Sequence, residues 1–311
     1  MGGMTLTGAL ESGPRIPPDE RVIDVRDLRM RYGTRDVLHG VSFAARRGEV
    51  LALLGPNGAG KTTTIEILEG FRMRSSGEVT VLGADPARAG EPWRARVGVV
   101  LQSWRDHGKW QVRELLAHLG DYYRRYATDG KPRPWPVDDL LDVVGLTAAA
   151  KTRIQRLSGG QRRRLDVAIG IVGRPDLLFL DEPTVGFDPA ARREFHDLVH
   201  RLTDVDDTTI LLTTHDLDEA EKLADRILIL NGGRIIADGS ADELARRVAG
   251  ESEIRWTRDG QRFVHAAANP TPFVRELLVQ HGDAVEDLEV RRNNLEETYM
   301  RLVHDSEGSA R

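Results

Sequence analysis

The chain has no cysteine among its 311 residues. Disulfide frameworks, cysteine-ligated zinc and thiol nucleophiles are therefore excluded. Long apolar runs are missing too. Val50 to Leu54 and Leu177 to Leu180 are strand-length, far below the roughly 18–20 residues that cross a bilayer. Met1 to Glu20 mixes Gly, Pro and acids without an apolar core, which is not a secretory signal and reads as a disordered tail. A basic excess is also lacking. Lys and Arg number 44 against 49 Asp and Glu, so the formal charge is −5 and the pI about 6.0. That is the wrong sign for a surface whose main task is to grip nucleic acid.

What is present is 40% hydrophobic and 30% charged, which suits a charged surface over a core large enough for one big domain and a small one. Ile23, Val25, Leu28, Met30, Val41 and Phe43 recur at strand spacing with a turn near Gly33. Val50 to Leu54 is continuously apolar, as in a strand covered on both faces of a parallel sheet. Residues 103–175 are richer in helical periodicity, with a Pro-rich loop from Lys131 to Pro136. Two more buried strands follow, Leu177 to Leu180 and Ile210 to Thr213, separated by a helix after Pro189. Asn231-Gly232-Gly233 then marks a hairpin. Beyond Gly250 the texture changes. Strand patterns at Glu253 to Trp256 and Arg262 to His265 flank Asp259-Gly260, and helical patterns occupy Phe273 to Val279 and Leu295 to Val303. We divide the chain into a tail (1–21), a main domain (22–250, with a helical subdomain near 103–175) and a small α+β appendage (251–311).

Gly55-Pro56-Asn57-Gly58-Ala59-Gly60-Lys61-Thr62 fits G-x-x-x-x-G-K-[ST], between a buried strand and a helix. Glycines let backbone N–H groups turn towards phosphate, and the helix adds its N-terminal dipole. Lys61 reaches the β- and γ-phosphates, the Thr62 hydroxyl suits Mg²⁺, and Thr63 completes the binding run. Leu177 to Leu180 ends in Asp181-Glu182, two carboxylates at a strand end: one suits a Mg²⁺ shell, the other a water to be polarised, although two acids there also cap a following helix. Leu157-Ser158-Gly159-Gly160-Gln161 opens a helix, and is either an ordinary N-cap or a second anion site. Arg162-Arg163-Arg164 reads as a solvated helix face rather than a nucleic-acid patch. Trp104 and Trp110 pack the helical part or face a partner.

Together these motifs resemble an ABC transporter ATP-binding subunit over roughly residues 22–247. The resemblance implies an α/β P-loop NTPase fold, the ABC nucleotide-binding domain, with an antiparallel β subdomain and an inserted helical subdomain. It implies that Gln102 is the Q-loop residue, with catalytic and metal roles, and that Gly186-Phe187-Asp188 is the D-loop. His215 matches the switch histidine, and Tyr32 the aromatic that stacks on adenine, though it is also an ordinary strand aromatic. Asp181 would join Thr62 and Gln102 on Mg²⁺, and Glu182 would be the general base. In this family two subunits clamp two ATP molecules head to tail. Leu157 to Gln161 looks like the ABC signature motif, so Ser158, Gly159, Gly160 and Gln161 would contact the ATP of a second copy, with Asp188 linking the sites. The cofactors expected are ATP and Mg²⁺. The partners expected are a homodimer mate and a separate transmembrane permease, with no nucleic acid and a place on the cytoplasmic face of the membrane.

The run Leu157 to Asp166 and the ending Leu295-Glu296-Glu297-Thr298-Tyr299-Met300-Arg301-Leu302 resemble drug- and antibiotic-export ATPases of the daunorubicin-resistance type, although Tyr299 and Met300 depart from the Phe and Leu more usual there. The competing class is a soluble ABC ATPase acting on nucleic acid or the ribosome. A single P-loop, the absence of zinc cysteines and the acidic balance weigh against it.

Overall fold

The computed structural model describes residues 16–100, 107–185, 187, 189–248, 252–258, 260–267, 269–291, 296, 299, 300 and 303. Order begins earlier than the sequence suggests. Ile16 is buried, its carbonyl accepts a hydrogen bond from Arg21 Nε at 2.9 Å, and Pro18–Glu20 forms a 3₁₀ turn. An apolar side chain five residues ahead of the first strand thus folds back onto it, and the tail reading fails for residues 16–21, the last of which opens that strand. Residues 1–15 lie outside the described set.

The alternating apolar pattern forms β1 (Arg21–Tyr32) and β2 (Arg35–Arg46), an antiparallel pair. After β3 (Val50–Leu54) and α1 (Lys61–Leu68), β4 (Ser76–Val81) returns to the free edge of β1 and completes a three-stranded sheet in the order β2-β1-β4. A short α2 (Glu91–Arg94) leads into β5 (Val97–Val100). The middle of the chain then supplies α3 (Val112–Tyr123), α4 (Val137–Val143) and α5 (Gly159–Ile171). Next come β6 (Leu177–Asp181), α6 (Pro189–Asp206), β7 (Thr209–Thr214), α7 (Leu217–Leu223) and the hairpin β8 (Arg226–Asn231) with β9 (Arg234–Gly239). Gly232 and Gly233 take φ of 51° and 73°, the left-handed pair that a tight hairpin turn demands.

The central sheet runs β5-β6-β7-β3-β8-β9, parallel except at β9. Every residue of β3 is buried. Alternate side chains serve opposite faces: Leu51 and Leu53 join Ile65, Ile67 and the first sheet, while Val50, Ala52 and Leu54 join α5, α6 and the other helices. This two-sided burial is why the strands read as unbroken apolar runs. Parallel register brings Leu54 opposite Thr214, and Asp181 opposite Thr213. The residues that follow β3, β6 and β7 therefore emerge side by side at one edge, where open α/β sheets hold ligands.

One carboxylate gathers several of the bonds that fasten the helical segment to the sheet. Asp176, just before β6, accepts from Arg96 Nε at 2.6 Å, Lys131 Nζ at 2.8 Å and Arg133 Nη2 at 3.3 Å. Burial pushes this carboxyl up, but its bonds to Lys131 and Arg96 outweigh that and hold it below the usual range.

Past α8 (Ala241–Val248), β10 (Ser252–Arg258), β11 (Gln261–Ala267) and β12 (Glu286–Arg291) form an antiparallel sheet in the order β11-β10-β12, with α9 (Pro270–His281) against it. Its packing is aromatic: Trp256 stacks on Phe263 at 5.4 Å and meets Phe273 at 5.7 Å. β12, which the sequence reading did not anticipate, is polar at most positions. Near the end, Tyr299 packs against the core of the main domain while Met300 is exposed. Leu295, Glu297, Thr298, Arg301 and Leu302 lie outside the described residues. Among the described residues, no helix is long and apolar enough to cross a membrane.

Candidate functional site

The P-loop reads into α1 because Gly60 (φ 108°) turns the chain left-handed just ahead of Lys61. Gly55 serves space instead: a Cβ there would stand 2.2 Å from the Leu230 carbonyl oxygen. Lys61 is only 5% exposed. Its Nζ donates to Gly55 O at 2.7 Å and Pro56 O at 3.3 Å, and lies 3.4 Å from Glu182 Oε1. Asn57, Gly58 and Thr62 are exposed, so backbone N–H groups and the Thr62 hydroxyl remain accessible to a ligand. Tyr32, at the end of β1, reaches the same loop. Its hydroxyl lies 3.5 Å from Thr63 Oγ1, and Arg72 covers its ring at 5.0 Å.

At the end of β6 the two acids separate. Asp181 Oδ1 accepts from Thr213 Oγ1 at 2.5 Å. Glu182 turns out of the strand with φ 44°, a conformation unfavourable for a residue with a Cβ and a sign of imposed geometry. Its N–H donates to Thr213 Oγ1 at 3.0 Å and Thr213 O at 3.2 Å. The carboxylate so placed also lies 3.4 Å from His215 Nδ1, and His215 is 51% exposed. Lys61 at the start of α1 and Glu182 and His215 just past β6 and β7 thus converge. Thr213 was missed in the sequence reading; the available signal was a hydroxyl residue within a buried strand, a mark that Thr209 and Thr214 share.

Two further carboxylates brace the loops. Asp216 caps α7 by accepting from Glu219 N at 3.2 Å, and takes Arg192 Nη1 at 2.9 Å, which ties the first turn of α6 to the residue after His215. Glu219 is buried; burial pushes its carboxyl up, opposed by the hydroxyls of Thr214 and Thr184. At the C-terminal cap of α1, burial pushes Glu69 up to about 8, with Asp181 and Glu66 adding to the shift.

Ser158 forms a capping box at α5: its Oγ accepts from Gln161 N at 3.2 Å, and Gln161 Oε1 accepts from Ser158 N at 3.1 Å. Among the described residues, no hydrogen bond or ion pair joins Ser158, Gly159, Gly160 or Gln161 to Lys61, Asp181, Glu182 or His215. The capping reading is therefore satisfied within one chain, and the residues of the first turn are exposed or half-exposed. The solvated-face reading of Arg162-Arg163-Arg164 is wrong at its centre. Arg163 is buried and donates from Nε to Pro183 O at 2.9 Å. A helix lying on the sheet turns one of three consecutive side chains inward. A cavity of about 260 Å³ lies behind α5, between α4 and α6, and does not include Lys61, Glu182 or His215.

Gln102 and Trp104 lie outside the described residues, as do Gly186 and Asp188; Phe187 is half-buried edge to face on Phe195 at 6.0 Å. Trp110 packs against the helical core and His118. Among the described residues, no group of three or more His, Asp or Glu forms a metal cage. The Thr62 hydroxyl and the Asp181 carboxylate are hard oxygen donors of the type that Mg²⁺ takes, and they fit such an ion in chemistry.

The ABC transporter family model matches residues 38–185. The daunorubicin resistance ATP-binding protein DrrA3 of Streptomyces coeruleorubidus is 34% identical over 310 residues, covering 92% of this chain and 97% of that protein. The linearmycin resistance ATP-binding protein LnrL of Bacillus subtilis is 32% identical, covering 87% and 84%. The Nod factor export ATP-binding protein I of Neorhizobium galegae is 40% identical, covering 78% and 69%. A solved ATP-binding subunit of an ABC transporter shares 27% identity over 73% of this chain and 92% of its own, with a TM-score of 0.62. With these similarities joined to the P-loop geometry, the chain belongs to the ATP-binding subunits of ABC transporters, and its activity is ATP hydrolysis.

Proposed function

We propose that this subunit drives export of a drug, antibiotic or lipid-like compound through a separate membrane permease, from the cytoplasmic face, as a head-to-tail homodimer. The observation that carries the hydrolytic reading is the convergence of Lys61 and His215 on one oxygen of Glu182. The export reading rests on likeness to resistance and export proteins, two of which align over most of this chain.

In this reading ATP lies along the P-loop. Tyr32 stacks on adenine, and the N–H groups of residues 55–63 hold the phosphates. Lys61 moves its ammonium from the carbonyls of Gly55 and Pro56 to the β- and γ-phosphates. Thr62, Asp181 and Gln102 would hold Mg²⁺, which would supply positive charge to the phosphates when bound. Glu182 orients the attacking water and takes its proton, and His215 holds the γ-phosphate and the water. Ser158, Gly159, Gly160 and Gln161 close over the ATP of the second copy, and Asp188 links the sites. ATP bridging two surfaces binds the closed dimer more tightly than the open one, so cleavage returns the pair to the open state.

The test is Glu182→Gln. It is expected to bind ATP and dimerise, with turnover about 10²–10⁴-fold lower. Parent-rate turnover would remove Glu182 from the mechanism. For export, the tagged chain is purified from solubilised native membranes. A multi-span hydrophobic protein recovered in equal amount supports the transporter reading, whereas ribosomes or DNA from the soluble fraction would replace it.

A further inference from the structure

Arg163 lies one helical turn beyond Gly160 in the α5 sequence, and its guanidinium crosses from α5 to the loop that follows β6. There its Nε donates to the carbonyl of Pro183, the residue directly after Glu182, at 2.9 Å. Its side chain is 9% exposed, with Nη1 3.9 Å from Asp166 Oδ2. Burial pulls the guanidinium pKa down, and the charges of Asp166, Asp181 and Glu219 pull it back up. A buried cation of this kind is held in place by the groups around it, since moving it away from them leaves charge unpaired in a low dielectric.

The far end of this contact is a strained backbone. Glu182 has φ 44°, which a residue with a Cβ adopts only when its neighbours impose it. Two anchors do so. On the N-terminal side, Thr213 takes the Glu182 N–H through its hydroxyl and carbonyl. On the C-terminal side, Arg163 holds the Pro183 carbonyl. Thr213 belongs to the rigid central sheet, whereas Arg163 belongs to α5, whose N-terminus is Ser158-Gly159-Gly160. One anchor of Glu182 is thus fixed and the other rides on the signature helix.

We propose that Arg163 is a positioning residue that sets the aim of Glu182 according to the placement of α5. It makes hydrolysis in a chain's own site depend on whether that chain's signature segment is docked. The inference rests on the reading of Glu182 as the general base and of Ser158–Gly160 as the contact to the second nucleotide. A shift of α5 by a fraction of an ångström passes through the Pro183 carbonyl to the carboxylate, because the guanidinium is packed and cannot absorb it. Misplacement of a reacting group by about 1 Å costs up to 10²-fold in rate. ATP affinity depends on the P-loop, and among the described residues no hydrogen bond or ion pair joins Arg163 to it, so binding and turnover separate.

The experiment uses the full chain and compares the parent, Arg163→Met, Arg163→Lys, Glu182→Gln and the double variant Arg163→Met/Glu182→Gln. It measures kcat, the equilibrium affinity for Mg-ATP and the thermal midpoint. Arg163→Met is expected to lower kcat about 10- to 100-fold with ATP affinity within about twofold. The double variant is expected to be no slower than Glu182→Gln, because Arg163 acts through that carboxylate. Arg163→Lys keeps a buried cation and one donor, and is expected to fold and to recover part of the lost kcat. Multiplying effects in the double variant, or a folded Lys variant with no recovery, would overturn the inference. Glu182→Gln at the parent rate would instead sink the assignment of Glu182 itself, a distinct outcome that takes this inference with it.

Discussion

His215 Nδ1 stands 3.4 Å from Glu182 Oε1. The same oxygen lies 3.4 Å from Lys61 Nζ, so a half-exposed imidazole past β7 and a buried ammonium at the start of α1 address one carboxylate. A group that holds water or phosphate in the transition state contributes to turnover more than to binding. His215→Ala is accordingly expected to lower kcat about 10²–10⁴-fold. ATP affinity, measured by equilibrium binding, is expected to change only severalfold. A loss of binding as large as the loss of rate would place His215 in ground-state recognition instead.

The P-loop glycines do different work, and alanine separates them. Gly55→Ala would drive a Cβ to 2.2 Å from Leu230 O, an immovable backbone atom at the end of β8. Overpacking of this kind costs about 1–3 kcal/mol or more. Gly58 has open space around it and φ 82°, so Gly58→Ala meets only conformational strain, about 1–2 kcal/mol. Thermal unfolding of the two variants should rank Gly55→Ala as the less stable. The reverse order would contradict the packing around Gly55.

Glu69 makes stability fall on the alkaline side. Burial raises its carboxyl from 4.5 to about 8, so the folded chain keeps a proton that the unfolded chain has lost. The stability is fully present below pH 4.5 and is lost as pH rises towards about 8. Glu69→Gln carries no such titration. Its thermal midpoint relative to the parent should therefore rise between pH 5 and pH 8.5. A constant difference across that range would show Glu69 to be ionised in the fold.

Asp176 acts in the opposite direction. Its carboxyl is held below the usual value, so its contribution is present above the unfolded value of 3.8 and is lost as pH falls through the folded one. Asp176→Asn would leave the buried Arg133 guanidinium without its carboxylate, a loss of about 3–5 kcal/mol for a broken buried pair. Chemical denaturation at neutral pH measures this, and a loss below 1 kcal/mol would mean that the clamp is solvated.

Much of the fold was legible because its strands are buried on both faces. Continuous apolar runs such as Val50–Leu54 need no partner information to be recognised, and Asn231-Gly232-Gly233 announces its own hairpin. Other elements depended on long-range partners. β4 and β12 are short and polar at many positions, and become strands through pairing with β1 and β10. Ile16 looked like part of a tail because its burial depends on a sheet that begins five residues later.

The sequence by itself determined the chemistry offered: a phosphate loop ending in Lys61 and Thr62, a carboxylate pair after a buried strand, and a histidine after another. These signals are local, because a glycine pattern or a strand-end acid carries its meaning in adjacent residues. Only the tertiary structure decided where those groups point. Parallel register set Glu182 beside both Lys61 and His215, and Thr213 imposed its left-handed turn. Helix packing turned Arg163 inward while Arg162 and Arg164 stayed partly exposed. A run of three arginines carries no mark of which one faces the core; the phase of a helix against its sheet settles that, and phase is a property of the packed chain.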